Sequence, residues 1–417
     1  MTTETAAVQA RRASKPFILT TVFLDVLGMG LVIPVLPVLI GEFAGSRDMQ
    51  AYWYGIIIAT YGLLQFFCAP VLGALSDRFG RRPVLLMSIF GLGTSFFVTA
   101  MASSLTTLWL IRILSGATGA SFSVAGAYMA DISPPEERAR SFGLIGAAFG
   151  MGFVFGPMLG GLLSTYDIRL PFFVASGLSL VNWLYGFFVL PESLPRERRA
   201  PFSLARANPF TALGNLGKLH GVGGLVGVFA LTVLAQMILQ NTWVLYTTFR
   251  FGWQPHENGI SLFIVGIVGA VVQGGLQGKL LARFGEVRLA LMGLASGAIA
   301  YLLYGSATEG WMMYCIIFAN LLAFAAGPTL QAIVSKQVDP SEQGLTMGSL
   351  NAINSVMMVI APLLGNYILA HVSHLPAGDW RVGITFYMAS VLQFLGLAVA
   401  IGHFRRMRKL RQARAAA

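Results

Sequence analysis

Charge is scarce in this 417-residue chain: Asp, Glu, Lys and Arg make up 11% of it against 56% hydrophobic residues, and the mean hydropathy is +0.71. A soluble globular domain carries about 25% charged residues, so water is not the main solvent here. Cysteine is almost absent. The two thiols, Cys68 and Cys315, fall inside separate apolar stretches in different halves, which suits packing better than a disulfide or a metal pair. Histidine is nearly as rare. None of His220, His256, His371, His374 and His403 lies mid-stretch, so a histidine proton relay is not expected. There is no metal-spaced His and Cys cluster, no nucleotide loop and no Ser, His and acid arrangement, which leaves a membrane enzyme without a catalytic centre. Acids are outnumbered 28 to 17, for a net charge of +11, yet the basic residues do not gather on a soluble module, so nucleic acid is not implied as a partner.

Long apolar runs take the place of what is missing. A hydrocarbon layer about 30 Å thick needs roughly twenty apolar residues per helix, which leaves room for about twelve spans. The hydropathy pattern predicts them over 17–42, 52–75, 83–102, 105–131, 142–165, 171–191, 221–248, 258–281, 287–306, 310–336, 345–370 and 381–404. The chain is therefore read as an all-α polytopic membrane protein. The first run is too long for a secretory signal and lacks a small-residue cleavage site, so it is expected to stay as a span. Basic residues alternate between loops. One side holds Arg11, Arg12, Lys15, Arg78, Arg81, Arg82, Arg138, Arg140, Arg196, Arg198, Arg199, Arg206, Lys218, Lys279, Arg283, Arg288, Lys336 and the tail from Arg405; the other holds Arg47, Arg169, Arg250 and Arg381. The positive-inside rule then places both termini in the cytoplasm. The basic tail also suits anionic lipid headgroups.

An internal repeat organises these spans. Gly73, Arg78, Phe79 and Gly80 recur 205 residues later as Gly278, Arg283, Phe284 and Gly285; Pro135, Glu137 and Gly143 recur as Pro340, Glu342 and Gly348; Pro157 and Gly160 recur as Pro362 and Gly365. Two six-helix halves follow, 17–191 and 221–404, with a cytoplasmic tail over 1–16, a linker over 192–220 and a basic tail over 405–417. Such halves around a midplane site are what alternating access requires, since rocking one against the other exposes the site to each side in turn.

Asp25 and Arg112 are the charged residues that this segmentation leaves deep in apolar stretches. Burying either ion at mid-bilayer costs about 2.5–3.5 kcal/mol on insertion scales, so each is expected to face the bundle interior or water. Asp25 lies about 12 Å from one face at helical rise and Arg112 about 10 Å from the other. A carboxylic acid taken from water holds its proton more tightly and a nearby guanidinium loosens it, so a change in their separation would load or release a proton. The alternatives are a static salt bridge, or an acid capping backbone in a first helix disturbed by Pro34 and Pro37. Arg112 is open to three roles: modulating Asp25, binding an anionic substrate group, or holding carbonyls. Uncharged amides at Gln65, Gln236, Gln240, Asn241, Gln273, Gln277, Asn320, Gln331, Asn351 and Asn354 supply the rest of the intramembrane polarity. Gln236 with Gln240, and Asn351 with Asn354, each share one helical face. They suit either a polar substrate cavity or hydrogen bonding between helices. The substrate-site candidates are Gln65, Gln236, Gln240, Asn241, Gln331, Asn351 and Asn354.

Two motifs complete the reading. Gly73-Ala-Leu-Ser-Asp77-Arg78-Phe-Gly80-Arg81-Arg82-Pro83 is a compact charged turn between two spans. It reads as a latch, with Asp77 paired to Arg81 near the start of the eleventh span at Leu345–Thr346, where a helix dipole favours an anion, and with Asp131 joining through Arg78 or Arg81. The alternative is that Arg78, Arg81 and Arg82 only set topology. Ala282 stands where the repeat would place a second Asp77, so any latch is one-sided. Gly152-x-x-x-Gly156-Pro157-x-x-Gly160-Gly161 brings small residues and a kink to the fifth span, which lets two helices approach closely.

The turn resembles the loop between the second and third helices of the major facilitator superfamily, and the fifth-span motif resembles that of its antiporters. Leu108, Arg112, Ser115, Gly116, Gly119 and Ala120 are similar to its arginine motif. Leu24-Asp25-Val26-Leu27-Gly28-Met29-Gly30-Leu31 with Pro34 and Pro37, the stretch Ala125 to Asp131, Pro191-Glu192-Ser193, Trp243 to Leu245, Arg250 to Trp253, and Gln331 with Gln337, Val338, Gln343 and Gly344 look like the bacterial tetracycline efflux proteins, which are drug:proton antiporters. On that likeness Asp25, Arg112 and Gln65 take the family's first-helix acid, fourth-helix arginine and second-helix glutamine. Ser95, Gly269 and Gly297 stand where that family carries an acid, a histidine and another acid linked to tetracycline and proton handling. The resemblance therefore implies a general exporter of small amphipathic drugs or metabolites, exchanged for protons, with Asp25 as principal titrating group. It implies a bacterial inner-membrane location, no cofactor, no metal, lipids and a small-molecule substrate as partners, and a monomer. A proton symporter or a uniporter remains the alternative. If the turn is a latch, Asp77→Asn shifts the population toward inward-open, read by cysteine accessibility from the cytoplasmic side; an unchanged distribution rejects it.

Overall fold

A computed structural model describes residues 3–203, 208, 210, 214, 223–338 and 343–416. Most of the linker beyond residue 203, with Arg206, Lys218 and His220, and the repeat positions Pro340 and Glu342 lie outside the described residues, as do the side chains of Arg11, Arg12 and Leu345. Every long element described is an α-helix: α1 Thr3–Val32, α2 Leu36–Ala44, α3 Arg47–Phe79, α4 Arg81–Ala100, α5 Leu105–Thr118, α6 Ser121–Ile132, α7 Arg138–Leu163 and α8 Leu170–Val189. There follow α9 Gly223–Phe251, α10 Pro255–Val271, α11 Gln277–Phe284, α12 Glu286–Ser306, α13 Gly310–Ala319, α14 Ala323–Lys336, α15 Gln343–Val372 and α16 Ile384–Ala416. Among the described residues 11 segments are long and apolar enough to cross a membrane, and the bent pair α13 and α14, at 41°, makes a twelfth. Large apolar side chains such as Val181, Phe188 and Phe318 are exposed on their outer faces, as a bundle dissolved in acyl chains requires.

Several spans that the hydropathy pattern presents as single helices are interrupted. The first breaks at Ile33–Val35, where Pro34 has no N–H and the chain falls back on three-residue bonds, Ile33 N to Gly30 O at 3.2 Å and Val35 N to Val32 O at 3.1 Å. Pro37 then sits in the first turn of α2, where a missing N–H costs nothing, and Gly45 ends that helix in the left-handed region at φ +75°. The fourth span breaks between α5 and α6, and the tenth between α13 and α14. The eighth carries a π-helical segment, Val272–Leu276, between α10 and α11.

The helices gather into two compact units. One comprises residues 1–45, 60–208 and 254–266; the other comprises 46–59, 209–253 and 267–417. In the first, Phe17, Ile18, Val22, Leu85, Ile89, Val124 and Tyr128 form a core where α1, α4 and α6 meet. The second has a similar core, with Leu225, Val228, Leu294, Leu330 and Val334. Basic side chains on the sparsely charged face tie helix ends together. Arg169 Nη1 donates to the carbonyls of Ala100 and Ala102 at 2.8 and 2.9 Å. Arg250, which is buried, reaches Ala307 O at 3.1 Å and Ala377 O at 2.6 Å.

Backbone contact between α1 and α7 is the tightest feature of the first unit. A Cβ at Gly152 would lie 2.8 Å from Phe23 O, and one at Gly156 would lie 2.7 Å from Gly30 Cα. At Gly160 it would collide with Leu31 O. These three glycines repeat every four residues and form one face, so the fifth span lies directly on the helix that carries Asp25. Gly161 turns the other way, where a Cβ would lie 2.6 Å from Pro255 O, and Gly259 of α10 leaves room for the Pro157 carbonyl. Gly156→Ala is expected to destabilise the protein by about 1–3 kcal/mol through overpacking, read as a lowered Tm in detergent. Gly227→Ala, where a methyl meets nothing within 4 Å, is the control and should leave Tm in place.

Candidate functional site

Asp25 stands on the third turn before the break of the first span and is 4% exposed. Ser121, the first residue of α6, lies beside its carboxyl. Its Oδ1 is buried without a hydrogen-bond partner among the described residues. Tyr61 of α3 lies within electrostatic reach of both Asp25 and Arg112 and beside Gln65, one turn further on. Gln65 Nε2 in turn donates to Gly119 O at 3.1 Å. Arg112 is 9% exposed on α5. Half-buried Tyr61 is thus the neighbour shared by the acid, the guanidinium and half-buried Gln65, and Ser121 and Tyr61 are members of this neighbourhood that sequence reasoning missed. Tyr61 had a signal, four residues before Gln65 on one face of the second span. Ser121 had none, because a serine in a glycine- and serine-rich helix stands out only once the helix is seen to break.

The close approach that builds this group has its own cause. A Cβ at Gly116 would lie 2.7 Å from Leu64 Cβ and from Tyr61 O, so α3 sits against α5 backbone to backbone. Trp109 Nε1 pins the same pair by donating to Thr60 Oγ1 at 3.0 Å.

The charged turn joins α3 to α4. Asp77 in the last turn of α3 and Arg81 at the start of α4 pair at 2.6 Å, and Arg81 Nε reaches Asp131 Oδ2 at 3.1 Å. Arg81 Nη1 also donates to Ser76 Oγ at 2.6 Å, whose hydroxyl donates to Gly73 O at 2.7 Å. Arg78 takes no part in binding Asp131; its guanidinium lies 5.1 Å over the Phe79 ring. Arg82 donates to Phe187 O at 2.5 Å.

Glu192, an unassigned acid in the sequence reading, organises the turn. Its carboxylate accepts from Arg81 N at 2.8 Å and Arg82 N at 3.3 Å, so it caps the first turn of α4, where a helix dipole favours an anion. It also accepts from Leu194 N at 3.0 Å. Gly80 must be glycine twice over: its φ is +106°, and a Cβ there would strike the Glu192 carboxylate. Ser193 Oγ donates to Asp131 Oδ2 at 3.2 Å, Tyr128 OH to Pro191 O at 2.7 Å, and Ala200 N to Asp77 O at 3.1 Å. The start of the linker is therefore strapped onto the turn.

The remaining amides belong to the second unit. Gln236, Gln240 and Asn241 are on α9, Gln331 on α14, and Asn351 and Asn354 on α15, and α9 packs against both other helices. Gln236, Gln240 and Asn351 are exposed; Asn241, Gln331 and Asn354 are half-buried, and Asn241 Nδ2 folds back on Met237 O at 2.7 Å. Ser95 is buried at 1% exposure, the Gly269 position faces the Phe324 ring at 3.4 Å, and the Gly297 position faces the Gln393 amide at 3.3 Å. None of these three places offers an ionisable group.

A helical membrane bundle with a buried acid, a buried guanidinium and a strapped charged turn is the architecture of a membrane transport protein. The chain belongs to the Major Facilitator Superfamily, whose family model matches residues 18–326 and 225–416. It is 42% identical over 372 residues to the class C tetracycline resistance protein of Escherichia coli, covering 89% of this chain and 93% of that protein. It is 28% identical over 392 residues to multidrug resistance protein 2 of Bacillus subtilis (strain 168), covering 92% and 93%. Among solved structures it is similar to the human organic anion transporter MFSD10 (TETRAN), with a TM-score of 0.66, 25% identity, and coverage of 94% of this chain and 99% of that one.

Removing the Glu192 cap has a defined cost. Glu192→Ala should weaken docking of the strap by about 1 kcal/mol, a change of roughly fivefold in the undocked population. Limited trypsin digestion at the neighbouring arginines Arg196, Arg198 and Arg199 reads it: cleavage accelerates by that factor if the strap is held as described, and proceeds at the wild-type rate if it is not.

Proposed function

We propose that this chain is a secondary active exporter that moves small amphipathic drugs or metabolites out of the cell in exchange for protons, by alternating access between two six-helix halves. The observation that carries the reading is Asp25, a buried acid on a membrane span, next to a hydroxyl donor and sharing Tyr61 as a neighbour with a buried arginine. Family membership and the drug-resistance relatives support the direction of transport. The protein works as a monomer in the bacterial cytoplasmic membrane, with both termini inside and the proton gradient in place of any cofactor.

The parts divide the work. Asp25 takes a proton from one side and gives it up to the other, and Arg112 and Tyr61 set the charge it experiences. The α1–α7 glycine face makes the first and fifth spans move as one body, since neither backbone can shift past the other without collision. The turn at 73–83, with Asp77, Arg81 and Asp131, holds the cytoplasmic ends of α3, α4 and α6 together, and its latch stabilises the outward-open state. Gln236, Gln240, Asn241, Gln331, Asn351 and Asn354 offer hydrogen bonds to a substrate of mixed polarity. The uncharged Ser95, Gly269 and Gly297 favour a broad amphipathic substrate class over a metal-chelated tetracycline.

In everted vesicles with an imposed pH gradient, adding ethidium or tetracycline should drive protons out of the lumen as the compound enters, with Asp25→Asn losing gradient-driven uptake while retaining equilibrium exchange. Full pH-driven flux in Asp25→Asn removes the acid from the mechanism, and proton movement along with substrate identifies a symporter.

A further inference from the structure

The last helix outruns its span. From Ile384 to Gly402 α16 carries no charged residue, a run of about 28 Å at helical rise, close to the thickness of the hydrocarbon layer. Without a break it then presents Arg405, Arg406, Arg408 and Lys409, all exposed, and continues to Ala416. Arg405 lies three and four residues from Arg408 and Lys409, and Arg406 three from Lys409, so like charges face one another, which destabilises a helix. Among the described residues no acid pairs with any of the four; Glu286, beside Val287 at the start of α12, is taken by Lys336. The helix dipole does not compensate them either. It acts within the last turn, and α16 runs on for about two turns after Lys409.

A groove of about 760 Å³ opens beside these cations, within the second unit, between α12, the end of α14 and α16. Val287 and Leu291 of α12 and Ile401 and Phe404 of α16 line its apolar part; Arg405, Arg408 and Gln412 line its polar part. Ile401, Arg405, Arg408 and Gln412 follow one another at helical spacing, so a single face of α16 passes from apolar to basic toward the helix end. Arg405 and Arg408 also border an adjoining groove of about 620 Å³ that takes in Arg406 and Lys409. The positive-inside rule accounts for basic residues at this end of the chain, but not for their setting on the rim of an apolar groove.

We propose that this groove is a binding site for an anionic phospholipid, with an acyl chain against Val287, Leu291 and Ile401 and the phosphate on Arg405 and Arg408. Guanidinium groups match a phosphate through paired, charge-assisted hydrogen bonds, and basic pockets between spans at the membrane surface bind acidic headgroups. The two halves of the groove select this occupant together. A soluble anion would satisfy the arginines and leave the apolar half wet; a neutral lipid would fill the apolar half and leave the cations uncompensated. The bound lipid joins α16 to the start of α12 and relieves the repulsion along the basic stretch. The site needs only that α16 crosses a membrane, and it is independent of proton exchange at Asp25.

Full-length protein in a neutral detergent is titrated with dioleoyl phosphatidylglycerol while Tm is followed, since a ligand that binds the folded form raises it by mass action. Tm should rise and saturate with phosphatidylglycerol, and respond to neither dioleoyl phosphatidylcholine nor glycerol 3-phosphate over the same concentrations. Arg405→Gln with Arg408→Gln should weaken the half-saturating concentration by roughly tenfold or more. Arg138→Gln with Arg140→Gln removes the same charge from exposed positions at the start of α7 and should leave it in place. Val287→Trp, at an exposed position, fills the groove with every charge retained and should weaken binding by a similar factor. An equal loss from both arginine pairs, or wild-type affinity in Val287→Trp, reduces the effect to diffuse attraction by basic side chains and overturns the site. An equal response to phosphatidylcholine or to glycerol 3-phosphate overturns it as well, the first by showing that the phosphate contact is not used and the second by showing a site for soluble phosphate.

Discussion

A carboxyl group inside a membrane span has to be given an environment, because hydrocarbon offers none. Water cannot hydrogen-bond it there, and an anion at that depth costs several kcal/mol unless protein groups or a proton compensate it. Asp25 imposes this condition on the first unit. Ser121, Tyr61, Gln65 and Arg112 come from three other helices, and close backbone contacts pack the helices around them: Gly116 of α5 lies against α3, and Gly152, Gly156 and Gly160 of α7 lie against α1. The glycines are what make short polar reach possible, and the polar group is what makes the glycine packing specific.

The same condition explains where helices break. A helix in lipid keeps its backbone hydrogen bonds unless something else takes the freed groups. At Pro34 the chain itself supplies three-residue bonds; at Gly119 the freed carbonyl goes to Gln65 and the turn closes on Thr118 O. The Gly119 break is tied to Gln65, and the Pro34 break follows Asp25 by nine residues on the same span. At the charged end of the unit, Glu192 solves a different version of the same problem by capping the exposed N–H groups that begin α4. One region is organised around a buried charge, the other around a solvent-accessible ion network, and α6 runs from Ser121 in the first to Asp131 in the second.

The spans were legible in the sequence because the bilayer sets their length and composition, and Asp25 and Arg112 because an ion in an apolar run is conspicuous. The break in the fourth span was not. Gly119 adopts a φ open to any residue, and in a chain with 48 glycines its presence signals nothing by itself. Glu192 was visible as an acid in a Pro-Glu-Ser run, but its role depends on a helix that begins 111 residues earlier in the chain, at Arg81. The exchange of 46–59 and 254–266 between the compact units was equally hidden, since hydropathy reports that a helix crosses a membrane and not which helices it packs against. Pairing of Asp131 with Arg81 and not Arg78 was decided by geometry: Arg78 lies over the adjacent ring of Phe79.

Ligand-linked proton release is the most direct measure of whether Asp25 is the exchange group. Purified protein in weakly buffered detergent is titrated with ethidium or tetracycline while the pH of the solution is followed. Wild-type protein should release protons on binding, and Asp25→Asn should bind with no release. Equal release from both proteins would contradict the account at its centre.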